Sequence, residues 1–216
     1  MSNPISNKNN TTKTLIILDW DDTLFPTTWA VKNGIDVANT LVQNKYIIFF
    51  AKLDLILEKM LTIMLDNATV VIVTNAMEKW VNVSSQIIPN TKKLIQKNIK
   101  IISARDKFKK IYPDNTFWKK LVFKQLMIDY SKFNPDHIGV KNIISIGDAD
   151  YELHALINLY DEFGEVNKYY KSVKLLSDPS YDTIIDQLEV LHKTTTKMIN
   201  LKKHLDLKFI NIVQKN

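Results

Sequence analysis

The chain alternates short, wholly apolar runs with longer segments of helical period. Leu15-Ile16-Ile17-Leu18, Val70-Val71-Ile72-Val73 and Ile143-Ile144-Ser145-Ile146 are the clearest short runs. A continuous apolar run of this length suits a parallel strand covered on both faces. The pattern predicts strands near 14–19, 69–74, 99–103, 142–147 and 172–176, and helices near 47–65, 78–97, 115–130, 150–159 and 181–191. Strand and helix in turn, at this spacing, predict an α/β domain with helices on both faces of a parallel sheet. The most apolar region, Ile47 to Leu65, is interrupted by Lys52, Asp54, Glu58 and Lys59. Its Leu53, Leu57, Met60 and Met64 share one face, so it reads as a core helix and not as a membrane span.

Each of the three strongest strands runs directly into polar residues. The first delivers Asp19-Trp20-Asp21-Asp22-Thr23, the second Thr74-Asn75, and the third Gly147-Asp148. In open α/β sheets ligands collect at the carboxyl ends of the strands, so these residues stand where chemistry is usually done. Singly, each has a plainer reading. Asp19 and Asp21 could cap a turn or helix. Thr74 could be a structural strand-end threonine, and Asp148 an N-cap for the helix beginning near Tyr151. In this order, with helix-length segments between them, they describe a phosphoryl-transfer site.

The set resembles the haloacid dehalogenase-like (HAD) superfamily of aspartate-nucleophile phosphotransferases. The resemblance rests on Asp19-x-Asp21-x-Thr23, the strand-terminal Thr74, a downstream Lys, and Gly147-Asp148-x-x-x-Glu152, and it spans roughly residues 14 to 190. More narrowly, Asp19-Trp20-Asp21-Asp22-Thr23-Leu24 with Pro26 and Trp29 resembles one subgroup of that superfamily. That subgroup also carries a Thr-Asn-Ala stretch, a later Trp (Trp80), Ser103-Ala104-Arg105 and Trp118-Lys119. The resemblance implies a three-layer Rossmann-like fold with a five-stranded sheet of order 3-2-1-4-5 and the site where strands one and four lie side by side. It implies Asp19 as nucleophile, forming an aspartyl-phosphate, and Asp21 as the acid that protonates the leaving alcohol and then activates water. Thr74 would hydrogen-bond the phosphoryl group, helped by backbone N–H groups after Trp20 and at Asn75, with Trp20 and Asp22 among the phosphate-binding residues.

Asp19, Asp21, Asp22 and Asp148 in one crevice would repel one another without a cation. A hard divalent ion with oxygen ligands, Mg²⁺, resolves this, with Asp19, the Asp21 carbonyl and Asp148 as its ligands. Glu152 matches the second acid of the last motif, with Asp150 as its competitor for the role. A lysine should balance the phosphate charge, and the sequence offers Lys119, Lys120 and Lys124 on one helix, of which Lys119 fits the subgroup pattern best. Arg105 could reach a substrate phosphate or pair with a nearby acid. Trp20, Phe25 and Trp29 read as packing residues of the flap after the first strand, and the four histidines lack metal-ligand spacing.

Composition adds bounds. The 216 residues, with 45% hydrophobic and 24% charged positions, suit one globular domain. The lack of cysteine rules out disulfide and thiol chemistry and agrees with an intracellular, cytoplasmic protein. Residues 1–13 are rich in Ser, Asn and Thr and read as a disordered leader, not a signal peptide. The catalytic domain is expected over 14–191. Of the net charge of +6, residues 192–216 hold +5, from six lysines and Asp206. Met198, Leu201, Leu205, Phe209 and Ile212 recur there at helical spacing, which predicts a basic amphipathic terminal helix packed on the domain. Nucleic-acid binding by this tail is the lesser reading.

Only about twenty residues, Phe25 to Tyr46, remain for a flap over the site, so a minimal cap and an open site are expected. The expected activity is a Mg²⁺-dependent phosphomonoester hydrolase acting on a bulky, macromolecular phosphorylated substrate. The rival readings are a phosphotransferase, a nucleic-acid 3′-phosphate end-processing enzyme, and a catalytically idle domain that binds phosphorylated partners.

Overall fold

The computed structural model describes residues 13–133 and 140–210. Apart from Lys13, the expected leader lies outside the described residues. Six strands form one sheet: β1 (Thr14–Leu18), β2 (Thr69–Thr74), β3 (Lys100–Ser103), β4 (Asn142–Gly147), β5 (Tyr169–Lys174) and β6 (Leu205–Lys208). Their order is β3-β2-β1-β4-β5-β6, and every neighbouring pair is parallel. The 3-2-1-4-5 order is therefore present, extended by one strand. The helices are α1 (Thr27–Lys32), α2 (Thr40–Lys45), α3 (Ile47–Asn67), α4 (Glu78–Ser84), α5 (Pro89–Asn98), α6 (Ala104–Phe108), α7 (Trp118–Phe133), α8 (Asp150–Phe163) and α9 (Tyr181–Asn200). None of the described helices is long and apolar enough to cross a membrane.

The alternation of side chains along a strand divides the interior in two. Ile16 and Leu18 point into a core shared with α3, α5 and α9, while Leu15 and Ile17 point into one shared with α7 and α8. All five residues of β1 are buried, as a strand covered on both faces requires.

Three elements differ from the sequence expectation. The helix expected near 78–97 is split into α4 and α5 by a single 3-10 turn, Ser85–Ile87, followed by Pro89. Proline disfavours a helical residue before it, and Ile88 accordingly sits at φ −124°, ψ 73°. The freed N-terminus of α5 is held by Asp54, buried in α3, whose carboxylate accepts the Asn90 and Thr91 N–H groups at 3.0 and 2.8 Å. The fifth strand begins at Tyr169, which pairs with Asn142, earlier than expected near 172, and it includes the fully buried Lys171.

The third difference is the tail. No separate helix spans the described part of 192–216. Residues 192–200 complete α9, and the chain then turns to add β6 beside β5. Spacing of four is also an even number, so Leu205 and Phe209 fit one face of a strand as well as one face of a helix. At the end of α9 the Lys171 ammonium donates to the Met198 and Leu201 carbonyls at 2.6 Å each. A lysine can satisfy the free carbonyls of a helix C-terminus in this way.

Between β1 and β2 the chain holds only α1, α2 and α3, without an inserted cap domain. The flap is pinned by rings: Trp29 packs on Tyr181 at 5.1 Å and on Phe49 at 5.7 Å. Trp29 and Phe25 are thus packing residues, as the sequence suggested.

Candidate active site

β1 and β4 lie side by side where the strand order reverses, and the Asp19 N–H donates to the Ile146 carbonyl at 3.0 Å. The parity of β1 carries one residue further. Asp19 continues the Leu15–Ile17 side, toward α7 and α8, and Trp20 continues the Ile16–Leu18 side. Trp20 is fully buried, stacks 5.9 Å from Phe25, and donates its Nε1–H to Ser84 Oγ at 2.9 Å. Its side chain therefore packs the flap and does not face a substrate.

On the other side, Lys119 enters from the first turn of α7. Its ammonium lies 2.7 Å from Asp19 Oδ1 and donates to Glu152 Oε1. All three side chains are more than nine-tenths buried. Of the three lysines the sequence offered, only Lys119 reaches these acids. Lys120 lies over the Phe117 ring at 5.5 Å, and Lys124 pairs with Glu162 at 2.6 Å. Glu152 and Asp150 also part company. Glu152 points into the site and accepts the Ala149 N–H at 3.2 Å, whereas Asp150 is exposed and pairs with Lys174 at 3.1 Å.

Asp21 sits on the opposite side of Asp19, toward β2. Its Oδ1 accepts from Trp80 Nε1 at 2.7 Å and from Thr27 Oγ1 at 2.5 Å, and its Oδ2 accepts from Thr74 Oγ1 at 3.4 Å. Thr74 is fully buried and its Oγ1 accepts the Ala76 N–H at 2.9 Å. Both side-chain amide atoms of Asn75 are buried without a protein partner.

Asp22, expected among the phosphate-binding residues, is committed to the flap. Its N–H donates to the Phe25 carbonyl at 2.7 Å, and its carboxylate accepts the Thr28 N–H at 2.8 Å and the Thr28 hydroxyl. Asp22 occupies a left-handed conformation, φ 52°, which this tight turn demands and Asp tolerates. Arg105 forms no ion pair among the described residues.

The electrostatics record an excess of acid. Burial pushes the Asp19 carboxyl up to about 8, against the pull of Lys119 and with help from the Glu152 charge. Burial also lifts Asp148 to about 7, with Glu152 and Asp22 adding to the effect. Burial lowers the Lys119 ammonium, but the Asp19 and Glu152 carboxylates outweigh it and hold the proton on. Asp19 and Glu152 thus meet one fully buried cation, with Asp148 close enough for its carboxyl to sense both Glu152 and Lys119.

Among the described residues no three His, Cys, Asp or Glu side chains converge as a ready-made metal cage. The acids at the strand ends are oxygen donors in surplus, the chemistry that a hard cation fits. Mg²⁺ takes one or two carboxylates and retains several waters, so two carboxylates and a carbonyl suffice.

Two residues went unnoticed in the sequence. Lys174 and Ser177 donate to the Asp148 carbonyl at 2.5 and 2.6 Å and so fix the loop that carries this acid. Lys174 ends β5, and the strand-end rule that found the other site residues applies to it equally. Trp80 was noted only as part of the resemblance, and its role as a donor to Asp21 emerges from the fold.

The parallel sheet, the reversal between β1 and β4, and the acid–lysine constellation there define a HAD-like phosphatase. Residues 14–168 match the family model of the NLI interacting factor-like phosphatases, and the chain belongs to that family. No curated protein and no solved structure matches the chain.

Proposed function

We propose that the protein is a Mg²⁺-dependent phosphomonoester hydrolase that works through an aspartyl-phosphate on Asp19. The observation that carries this reading is the Lys119 ammonium held between Asp19 and Glu152 at the carboxyl end of β1, beside Asp148. An anionic nucleophile approaching an anionic ester needs charge neutralised and groups positioned. Lys119 supplies a fixed, fully buried positive charge for both. Thr74 and Asn75 offer hydrogen bonds to the phosphoryl oxygens. Asp21, aimed by Trp80 and Thr27, protonates the leaving alcohol as the ester P–O bond breaks and Asp19 takes the phosphoryl group. It then takes a proton from the water that releases inorganic phosphate and restores Asp19. Glu152 anchors Lys119 and the Ala149 N–H, keeping the loop after β4 in register with Asp19. Asp19, Asp148 and the Asp21 carbonyl are the residues that would hold Mg²⁺, which supplies countercharge for the acids and the phosphate. The short flap supports an open site and hence a bulky phosphorylated substrate.

Release of phosphate from an aryl phosphate, with Mg²⁺ and with chelator, tests this reading. Wild type should turn over only with Mg²⁺, and Asp19→Asn should be inactive. Equal rates for the two proteins would end it.

A further inference from the structure

The segment Arg105–Lys120 bridges two parts of the proposed site and presents to solvent a set of groups that the reaction does not use. At its start, Ser103 pairs in register with Thr74, and its hydroxyl donates to the Ala76 carbonyl at 2.6 Å. Asp106 accepts the Glu78 N–H at 2.9 Å. At its end, Trp118 Nε1 donates to the Tyr112 carbonyl at 2.7 Å, one residue before Lys119. The segment is therefore a ledge fixed at both ends to the residues around the candidate phosphate position.

Its surface is basic. Arg105, Lys107, Lys109, Lys110 and Lys120 form no ion pair among the described residues. The two acids of the ledge, Asp106 and Asp114, are each tied to a backbone N–H at 2.9 Å. Interleaved with these cations are Tyr112, Phe117 and Ile111, exposed by 43%, 49% and 66%. Lys120 lies over one face of the Phe117 ring at 5.5 Å, and the exposed ring surface and the remaining cations together suit a partner that offers both charge and planar apolar faces. Substrates with a single phosphate give Lys119 its counterpart and leave the ledge without one. A chain with an anion at every unit and a ring on every unit satisfies both features.

Resting on the phosphatase reading above, we propose that the substrate is a single-stranded nucleic acid carrying a terminal phosphomonoester. The Arg105–Lys120 ledge holds its backbone and stacks its bases while the end enters the site. The terminal ester P–O bond breaks and water supplies the oxygen and proton. A free hydroxyl end and inorganic phosphate result.

Anisotropy titration of a labelled oligonucleotide of about twelve nucleotides with a 3′-phosphate tests this. The full chain is used, in chelator, so that binding is read without turnover. The Lys107→Ala/Lys109→Ala/Lys110→Ala variant should lose at least about tenfold in affinity at low salt. The slope of log affinity against log salt should become shallower by about 2, from three contacts at roughly 0.7 each. Tyr112→Ala/Phe117→Ala should weaken binding by about tenfold with an unchanged slope. Both variants should hydrolyse an aryl phosphate as wild type does. If the ring variant has lost that activity, its fold is damaged and the charge variant, altered only at exposed positions, decides. Unchanged affinity and slope in the charge variant would overturn the proposal. So would a phosphopeptide of equal length that binds as tightly as the oligonucleotide. Loss of the phosphatase reading shows separately, as no aryl phosphate turnover by wild type.

Discussion

A Cβ at position 147 would fall 2.4 Å from Glu152 Cγ, so glycine there is what lets Glu152 fold back over the end of β4 to Lys119. Gly147→Ala should push Glu152 aside and take Lys119 out of line with Asp19. Misplacements of this size cost about a hundredfold in rate, so kcat for an aryl phosphate should fall by that order. A second expectation concerns Trp80. Trp80→Phe keeps a ring near Phe25, 6.1 Å away, but removes the 2.7 Å donor to Asp21. Asp21 would lose its aim, so kcat should drop about tenfold or more with KM nearly unchanged. A matched loss in KM alone would assign Trp80 to substrate binding instead. Much of this site was legible residue by residue, because strand-end acids and a strand-end threonine follow directly from apolar runs. Which of three lysines turns inward was not, since Lys119, Lys120 and Lys124 sit on one helix and differ only by the face that the fold selects. Asp22 misled for a related reason: only the turn geometry shows its N–H and carboxylate committed to Phe25 and Thr28.

Two buried charged groups act on whole elements. Asp54 looks like an interruption of an apolar helix, yet it supplies the N-terminal cap that the start of α5 lacks, because Ile88 has no acceptor. Asp54→Ala should cost about 2 kcal/mol, from an uncapped helix plus buried N–H groups left unpaired. Denaturant titration would read this as a lower midpoint with an unchanged slope. Lys171 caps α9 in the same manner from the carboxyl side. Burial pulls its ammonium down to about 8, well below its unfolded value. Between about pH 8 and the ordinary lysine value near 10.4, the unfolded chain therefore holds the proton that the folded chain has lost. Stability should accordingly rise with pH across that window relative to Lys171→Met, so the gap in melting temperature between the two should widen in favour of wild type. A gap that stays flat from pH 7.5 to 9.5 would contradict this. Neither element was legible in advance. The sequence shows a charge in a hydrophobic run but not which distant helix end it meets. The spacing of Leu201, Leu205 and Phe209 fits period two as well as period four.

At the scale of the molecule, the sheet order follows from the alternation of strand and helix, and its reversal beside β1 places the acids. The charge distribution was harder to foresee. The tail holds most of the net positive charge in the sequence, but its described part builds a helix end and an edge strand, while the ledge after β3 carries cations that form no ion pair among the described residues. Composition counts charges along a line, and only folding shows which of them border the site. The claim on which the functional account rests is that Asp19 carries the phosphoryl group. Enzyme quenched in acid during turnover with Mg²⁺ and then treated with borohydride converts any aspartyl-phosphate to homoserine, which peptide mass mapping locates. The account predicts homoserine at position 19 and none at 21, 22 or 148. Sustained turnover with Asp19 unmodified, or with homoserine at another position, would contradict it.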